Sequence, residues 1–147
     1  MSDKFIFLVE DNPDDEELTL RAFKKGHVSN PIIVARDGVE ALDFMFGNGK
    51  FSGRDLSDMP QIVLLDLKLP KINGLEVLQR LRANPSTKFV PVIIFTSSSE
   101  EEDIVSSYQF GANSYIRKPV DFQGFADAVH QLGLYWMVLN QTPSAKS

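Results

Sequence analysis

The 147-residue sequence contains no cysteine. A disulfide framework, a thiolate metal site and a cysteine nucleophile are therefore excluded. The sequence also lacks any apolar run approaching the roughly 20 residues that a membrane-spanning helix needs. The first apolar stretch, Phe5–Val9, ends at once in Glu10, which is not the layout of a signal peptide. We therefore expect a soluble cytoplasmic protein that has no contact with a membrane.

Basic residues are in the minority, with 15 Lys and Arg against 20 Asp and Glu and a formal net charge of -5. This balance argues against non-specific binding to nucleic acid, so no nucleic-acid partner is expected.

Histidine is scarce as well. His27 and His130 lie far apart in the sequence without the spacing of metal ligands, and we expect neither of them to act in catalysis or as a phospho-donor.

The length and the ordinary globular composition predict a single domain over residues 1–147, with a core at about 5–139 and a tail at 140–147. Five short apolar runs alternate with segments of helical period. The continuous runs among them are typical of strands that are buried on both faces of a parallel sheet. The alternation predicts an α/β fold with helices on both faces of that sheet. The runs are Phe5–Val9, Ile32–Ala35, Ile62–Leu65, Val92–Phe95 and Ser114–Ile116.

Polar residues that cap helices precede each segment of helical period. Four of these predicted N-caps are Asn12, Asp37, Asn73 and Asp121. The fifth predicted start is Ser99, which forms the pattern of a capping box with Glu102. Residues 46–60 are rich in Gly, Asn, Ser and Asp and predict a long loop before the third strand. Such a loop either carries a partner contact or is a tolerated insertion.

Polar side chains follow the carboxyl ends of the predicted strands, where ligands bind in open α/β sheets. Glu10 and Asp11 follow the first strand, Asp66 the third, Thr96 the fourth and Lys118 the fifth. Clustered carboxylates in a half-buried cleft require either a proton or a cation among them, and oxygen ligands suit Mg²⁺. Asp66 is placed to act as a nucleophile that forms an acyl phosphate, while Lys118 and Thr96 would meet the phosphoryl oxygens.

Four strings in chain order resemble the receiver domains of two-component response regulators. The resemblance spans roughly Phe5 to Leu139. In its long loop and apolar C-terminal helix, the chain looks most like the small receivers that pair with cyanobacterial phytochromes. The matching strings are residues 9–12 (VEDN), 64–74 (LLDLKLPKING), 95–97 (FTS) and 115–119 (YIRKP).

The resemblance implies a fold and a set of ligands. The fold would be flavodoxin-like, a parallel sheet of strand order 2-1-3-4-5 with five helices. A sensor histidine kinase would phosphorylate Asp66, and the likeness to the phytochrome-associated receivers implies that this kinase is a phytochrome. Asp11, Asp66 and the backbone carbonyl of Lys68 would bind Mg²⁺ (or Mn²⁺) directly, and Glu10 would bind it through a water molecule.

The resemblance also implies how the phosphoryl group would be sensed. Lys118, followed by a cis bond to Pro119, would pair with the phosphoryl oxygens. Thr96 would close onto the phosphate, and Tyr115 would swing inward behind it. A receiver of this kind accepts a phosphoryl group and loses it slowly, so we do not expect a turnover enzyme.

We expect no output domain after the predicted last helix, and we therefore expect the signal to pass through a change of surface or of dimer contacts. The segment Leu134–Leu139 is apolar on every side, which exceeds what one buried stripe needs. We predict a homodimer through the region of Ile104, Tyr108, Tyr135 and Trp136. The alternative is that the segment folds back on its own domain.

Three other functions compete with the receiver. A flavin-binding module needs a glycine- and hydroxyl-rich phosphate loop where Glu10–Pro13 stands. A metal-dependent phosphatase that uses an aspartyl phosphate usually has a second acid two residues after the nucleophile, and Lys68 occupies that position. A pseudo-receiver would keep the fold and act only as an interaction domain.

Overall fold

The computed structural model describes residues 4–118 and 121–139, apart from the side chains of Val138 and Leu139. Pro119 with its predicted cis bond, and the predicted tail at 140–147, lie outside the described residues. The strands are β1 (Ile6–Val9), β2 (Ile32–Ala35), β3 (Ile62–Leu65), β4 (Val92–Thr96) and β5 (Ser114–Arg117). The α-helices are α1 (Pro13–Lys25), α2 (Gly38–Phe46), α3 (Gly74–Ala83), α4 (Glu101–Gln109) and α5 (Phe122–Leu134).

The described strands form one parallel sheet in the order β2-β1-β3-β4-β5, so the predicted α/β fold and strand order are confirmed. Within the sheet, Val9 of β1 pairs with Leu65 of β3, and Leu65 pairs with Ile94 of β4. This register places the carboxyl ends of β1 and β3 level with each other. The residues that follow these two strands therefore emerge side by side.

Two hydrophobic clusters cover the two faces of the sheet, and β1 contributes alternate residues to each. Phe7 and Val9 pack into the cluster that includes α2 and α3, while Ile6 and Leu8 pack into the cluster that includes α1 and α5. All residues of β1, β3 and β4 are buried, as their continuous apolar runs predict. The edge strands β2 and β5 are partly exposed because each has only one neighbouring strand.

The predicted helix starts are confirmed at four positions and wrong at the fifth. Asn12, Asp37, Asn73 and Asp121 each accept a hydrogen bond from a backbone N–H in the first turn that follows. Helix α4 begins at Glu101 with Glu100 at the N-cap, so Ser99 is not the cap. The Ser98 hydroxyl instead accepts from the Glu100 N–H at 3.3 Å and donates to Asp103 at 2.6 Å. With this local pairing, α4 begins after Glu100 and not directly after Ser99.

The predicted long loop contains a short 3₁₀-helix, Gly49–Phe51, and packs against the domain. Arg54 fixes it, because its guanidinium donates to the carbonyl of Phe44 at 2.6 Å and to that of Asp58 at 2.8 Å. The same guanidinium lies over the Phe44 ring, 4.1 Å from the centroid. A role of the loop in partner binding stays a prediction.

Replacing Arg54 by alanine is expected to lower the free energy of unfolding by about 2 kcal/mol, because two backbone carbonyls lose a charged donor and the aromatic ring loses its cation. Urea unfolding measures this loss. Arg80→Ala is the matched control, since Arg80 forms an exposed ion pair with Glu76 in the preceding turn, and its loss should cost less than about 0.5 kcal/mol. Equal losses in the two variants would show that Arg54 does not hold the loop.

The apolar C-terminal segment is divided between the core and the surface. Trp136 is only 9% exposed and belongs to the cluster beneath α1 and α5, and its carbonyl accepts a hydrogen bond from the Gln61 side chain at 3.2 Å. The indole of Trp136 therefore packs within its own domain, and the homodimer through the region of Ile104, Tyr108, Tyr135 and Trp136 stays a prediction. Tyr108 and Tyr135 are each 51% exposed. Among the described helices, none is long and apolar enough to span a bilayer.

Candidate phosphoacceptor site

The sheet register brings four predicted site residues to one edge. The Asp66 N–H donates to the carbonyl of Val9 at 3.1 Å, which keeps Asp66 beside the residue that follows β1, Glu10. The Lys118 N–H donates to the carbonyl of Thr96 at 2.7 Å, which sets Lys118 beside the end of β4. Because these backbone bonds continue the ladders beyond the strands, the positions of the side chains are fixed by the sheet itself.

Asp66 lies at the centre of the site and is almost completely buried. Its Oδ1 accepts from the Thr96 hydroxyl at 2.7 Å and from the Lys68 N–H at 3.3 Å. Its Oδ2 accepts from the Lys118 ammonium at 3.0 Å. The two oxygens of one carboxylate are thus held by a hydroxyl and by a cation, each from a different strand end.

The Lys118 ammonium contacts three carboxylates. It donates to Glu10, to Asp66 at 3.0 Å and to Asp15 at 2.9 Å. Burial by itself lowers the pKa of Lys118, but the charges of Asp66 and Glu10 and the hydrogen bonds of Glu10 and Asp15 together raise it above its ordinary value. Lys118 therefore carries a full positive charge at neutral pH.

Glu10 is the most deeply buried of the acids. Burial raises its pKa to about 7, although the hydrogen bond and charge of Lys118 act in the opposite direction. Without a further cation, this carboxyl group is close to half protonated near neutral pH. This agrees with the prediction that clustered carboxylates need either a proton or a cation among them.

Glu10, Asp11 and Asp66 form a group that fits a divalent cation. One carboxylate oxygen from each lies within 4.8 Å of the others. Asp11 is exposed, so water can complete the coordination sphere. Carboxylate oxygens are hard ligands of the kind that Mg²⁺ and Mn²⁺ take. Lys68 contacts the same site through its backbone, while its side chain is exposed.

The predicted switch residues, Thr96 at the end of β4 and Tyr115 on β5, both lie beside the β4–α4 connection. Thr96 is fully buried against Asp66. The hydroxyl of Tyr115, which is half-buried, donates to the carbonyl of Ser98 at 2.9 Å. Burial raises the pKa of the Tyr115 phenol, so it remains a donor at neutral pH. Tyr115 is thereby tied to the segment that follows Thr96.

Among the described acids that contact Lys118, Asp15 is the one that the sequence patterns did not single out. It lies in the first turn of α1, where acids commonly serve the helix dipole, so nothing in its position marks it as a partner of Lys118. The two residues are 103 positions apart in the sequence. Only the packing of α1 beside the end of β5 brings them together.

A family model described as the response regulator receiver domain matches residues 6–130. The chain belongs to this family. Membership confirms the resemblance that the four strings indicate and favours the receiver over a flavin-binding module or a metal-dependent phosphatase.

Relatives of this receiver include regulators named for phytochromes. Response regulator Rcp1 of Synechocystis is 33% identical over 97% of this chain and 95% of its own length. The structure of a phosphorylated cyanobacterial phytochrome response regulator, RcpA, has a TM-score of 0.89 at 34% identity and covers 97% of this chain and 100% of that one. The bacteriophytochrome response regulator RtBRR has a TM-score of 0.78 at 48% identity over 98% and 86% of the two chains.

Rcp1 has also been solved in a form bound to Mn²⁺, with a TM-score of 0.87 at 32% identity over 96% of this chain and 99% of that one. A structural relative of this receiver therefore binds a divalent cation. Together with the group formed by Glu10, Asp11 and Asp66, this supports a cation site in the receiver described here.

Proposed function

We propose that this receiver accepts a phosphoryl group on Asp66 from a sensor histidine kinase, with Mg²⁺ or Mn²⁺ bound beside it. The observation that carries the proposal is the environment of Asp66. Its carboxylate is buried, is held by Thr96 and Lys118, and lies next to two further acids at the end of the sheet. A carboxylate buried, held and oriented in this way is suited to act as a nucleophile.

The reaction transfers the phosphoryl group from a kinase histidine to one oxygen of Asp66. The phosphorus–nitrogen bond breaks, a phosphorus–oxygen bond forms, and the electron pair of the broken bond stays with the imidazole, which takes up a proton. Lys118 donates charge-assisted hydrogen bonds to the phosphoryl oxygens, and Thr96 offers its hydroxyl to the same group. A cation held by Asp11, Asp66, the Lys68 carbonyl and, through water, Glu10 would neutralise charge on the transferred group.

The proposed partners follow from the relatives. Because Rcp1, RcpA and RtBRR are similar over most of the chain, we propose a phytochrome as the sensor kinase, in the cytoplasm. The receiver would lose its phosphoryl group slowly and would not act as a turnover enzyme. A homodimer would use the exposed region of Tyr108 and Tyr135 beside Ile104, with Trp136 supporting it from within.

Intact-mass spectrometry after incubation with acetyl phosphate and Mg²⁺ tests the proposed function. The native receiver should gain one phosphoryl group only when the cation is present, and Asp66→Asn should gain none because it lacks the nucleophilic oxygen. Asp127→Asn, an exposed acid on α5, is the matched control and should be phosphorylated like the native protein. A native receiver that gains no phosphoryl group would support the pseudo-receiver instead.

Thr96 is proposed to couple phosphorylation to the surface through a population shift that draws Tyr115 inward. Thr96→Ala should still be phosphorylated on Asp66 but should lose the accompanying change around Tyr115 and α4, because its hydroxyl no longer follows the phosphoryl group. Tyrosine ring NMR signals and amide hydrogen exchange report that change. Thr87→Ala, which also removes a buried hydroxyl, should switch normally. Normal switching by Thr96→Ala would contradict this route.

A further inference from the structure

The Asp15 carboxylate is directed at Lys118 by a fixed first turn of α1. Its backbone N–H donates to the Asn12 side chain at 3.1 Å, and its carbonyl accepts from the Thr19 hydroxyl at 2.7 Å. Its Oδ2 lies 2.9 Å from the Lys118 nitrogen. The side chain is 30% exposed, whereas those of Glu10 and Asp66 are 2% and 10% exposed. Asp15 therefore approaches Lys118 from the solvent side.

The position of Asp15 in the helix does not account for this contact. In a capping box, the side chain at the third helical position turns back to accept from the backbone N–H of the N-cap residue. Here the Asn12 N–H donates to the Glu10 carboxylate at 3.2 Å. Because Glu10 takes that donor, the carboxylate of Asp15 is available to contact Lys118.

A lysine ammonium has three hydrogen-bond donors, and Lys118 directs them at three acids. Two of the acids, Glu10 and Asp66, also belong to the oxygen group that fits the cation. Asp15 is outside that group among the described residues. It is consequently the partner of Lys118 whose oxygens are not also required by the cation or by the phosphoryl group.

We propose that Asp15 is a positioning residue that holds the Lys118 ammonium beside Asp66 when Glu10 and Asp66 serve the cation and the phosphoryl group. The kinetic consequence rests on the proposed phosphorylation of Asp66, while the anchoring of Lys118 can be measured without it. Lys118 has a long flexible stem, so losing the anchor leaves the ammonium free to occupy several rotamers. The cation site keeps all of its own oxygens.

Acetyl phosphate kinetics test the proposal with three variants. Asp15→Ala should lower the maximal phosphorylation rate at saturating Mg²⁺ by about tenfold, given the side-chain entropy of an unanchored lysine, without changing the Mg²⁺ concentration for half-saturation. Asp15→Asn retains an oxygen acceptor and should recover most of the rate. Asp14→Ala removes an exposed acid from the same turn and should match the native rate. Equal maximal rates for Asp15→Ala and Asp14→Ala, or a loss confined to Mg²⁺ affinity, would overturn the proposal.

NMR of the Lys118 side-chain ammonium provides an independent measurement. In the native receiver its signal should persist in saturating Mg²⁺, because a hydrogen-bonded ammonium exchanges slowly with water. In Asp15→Ala the signal should be present without the cation and lost with it, and in Asp14→Ala it should persist in both conditions. A signal in Asp15→Ala that survives saturating Mg²⁺ would overturn the anchoring, even if the native receiver accepts no phosphoryl group.

Discussion

Replacing Lys118 by methionine is expected to lower the free energy of unfolding of the cation-free receiver by about 3 kcal/mol, because removal of one partner leaves buried charges uncompensated. Glu10, Asp15 and Asp66 would lose the cation that each contacts at present. The same variant should slow phosphorylation of Asp66 by about a hundredfold, the scale on which loss of one preorganised electrostatic contact acts. Urea unfolding and intact-mass kinetics measure the two effects.

The stability loss should depend on pH in a defined direction. Lys118 has a raised pKa, so its contribution is fully present at neutral pH and is lost only as the pH rises above its ordinary value. Without Lys118, the pKa of Glu10 must rise further, because the lysine lowers it. The variant should therefore come closer to native stability in acid, where Glu10 is protonated and no longer needs a compensating cation. A loss that is the same at pH 4 and pH 7 would contradict the electrostatic explanation.

Mg²⁺ should stabilise Lys118→Met more than it stabilises the native receiver, because the cation then supplies charge compensation that Lys118 no longer provides. Lys50→Met is the matched control, since Lys50 pairs with Glu40 through an exposed side chain. It should change stability by less than about 1 kcal/mol and leave the effect of Mg²⁺ unaltered. Equal Mg²⁺ effects in all three proteins would show that lysine and cation do not share the same carboxylates.

The sheet and the placement of its site could be predicted because both depend on local patterns. The continuous apolar run from Ile62 to Leu65 is typical of a strand buried on both faces, and its alternation with helical segments indicates a parallel sheet covered by helices. Residues that follow such strands must meet at one edge, so Glu10, Asp66 and Lys118 could be grouped before any coordinates were known. Their hydrogen bonds are consistent with that grouping.

The features that the sequence did not predict depend on contacts that the local patterns do not show. Ser99 matches a capping box, but the pairing of Ser98 with Asp103 decides where α4 begins. Trp136 belongs to a residue type that is common in interfaces, yet it packs into the hydrophobic core of its own domain. Asp15 resembles an ordinary acid in a first helical turn until the end of β5 is packed beside it. In each case the local pattern is compatible with two outcomes. A local side-chain pair selects the start of α4, and tertiary packing selects the positions of Trp136 and Asp15.

Gly74→Ala is expected to lower the free energy of unfolding by about 3 kcal/mol or more, the scale of an overpacked buried position. A Cβ at Gly74 would lie 2.2 Å from the Asp66 carbonyl oxygen and 2.7 Å from the Leu67 Cα. The obstacle is backbone, which cannot yield as the end of a flexible side chain can. Gly38 packs against the loop between β3 and α3 as well. A Cβ added at Gly38 would lie 1.9 Å from the Ile72 carbonyl oxygen.

The clash at Gly74 involves Asp66, the proposed phosphoacceptor, so stability and phosphorylation should fall together. Relief requires the Asp66 backbone to move, which would shift its carboxylate relative to Thr96 and Lys118. We therefore expect slower phosphorylation by acetyl phosphate even under conditions where urea unfolding shows the variant to be folded. Gly53→Ala is the matched control, because a Cβ there meets no atom within 4 Å, and it should change stability by no more than about 1 kcal/mol. A folded Gly74→Ala receiver with native kinetics would show that Asp66 does not depend on this close approach.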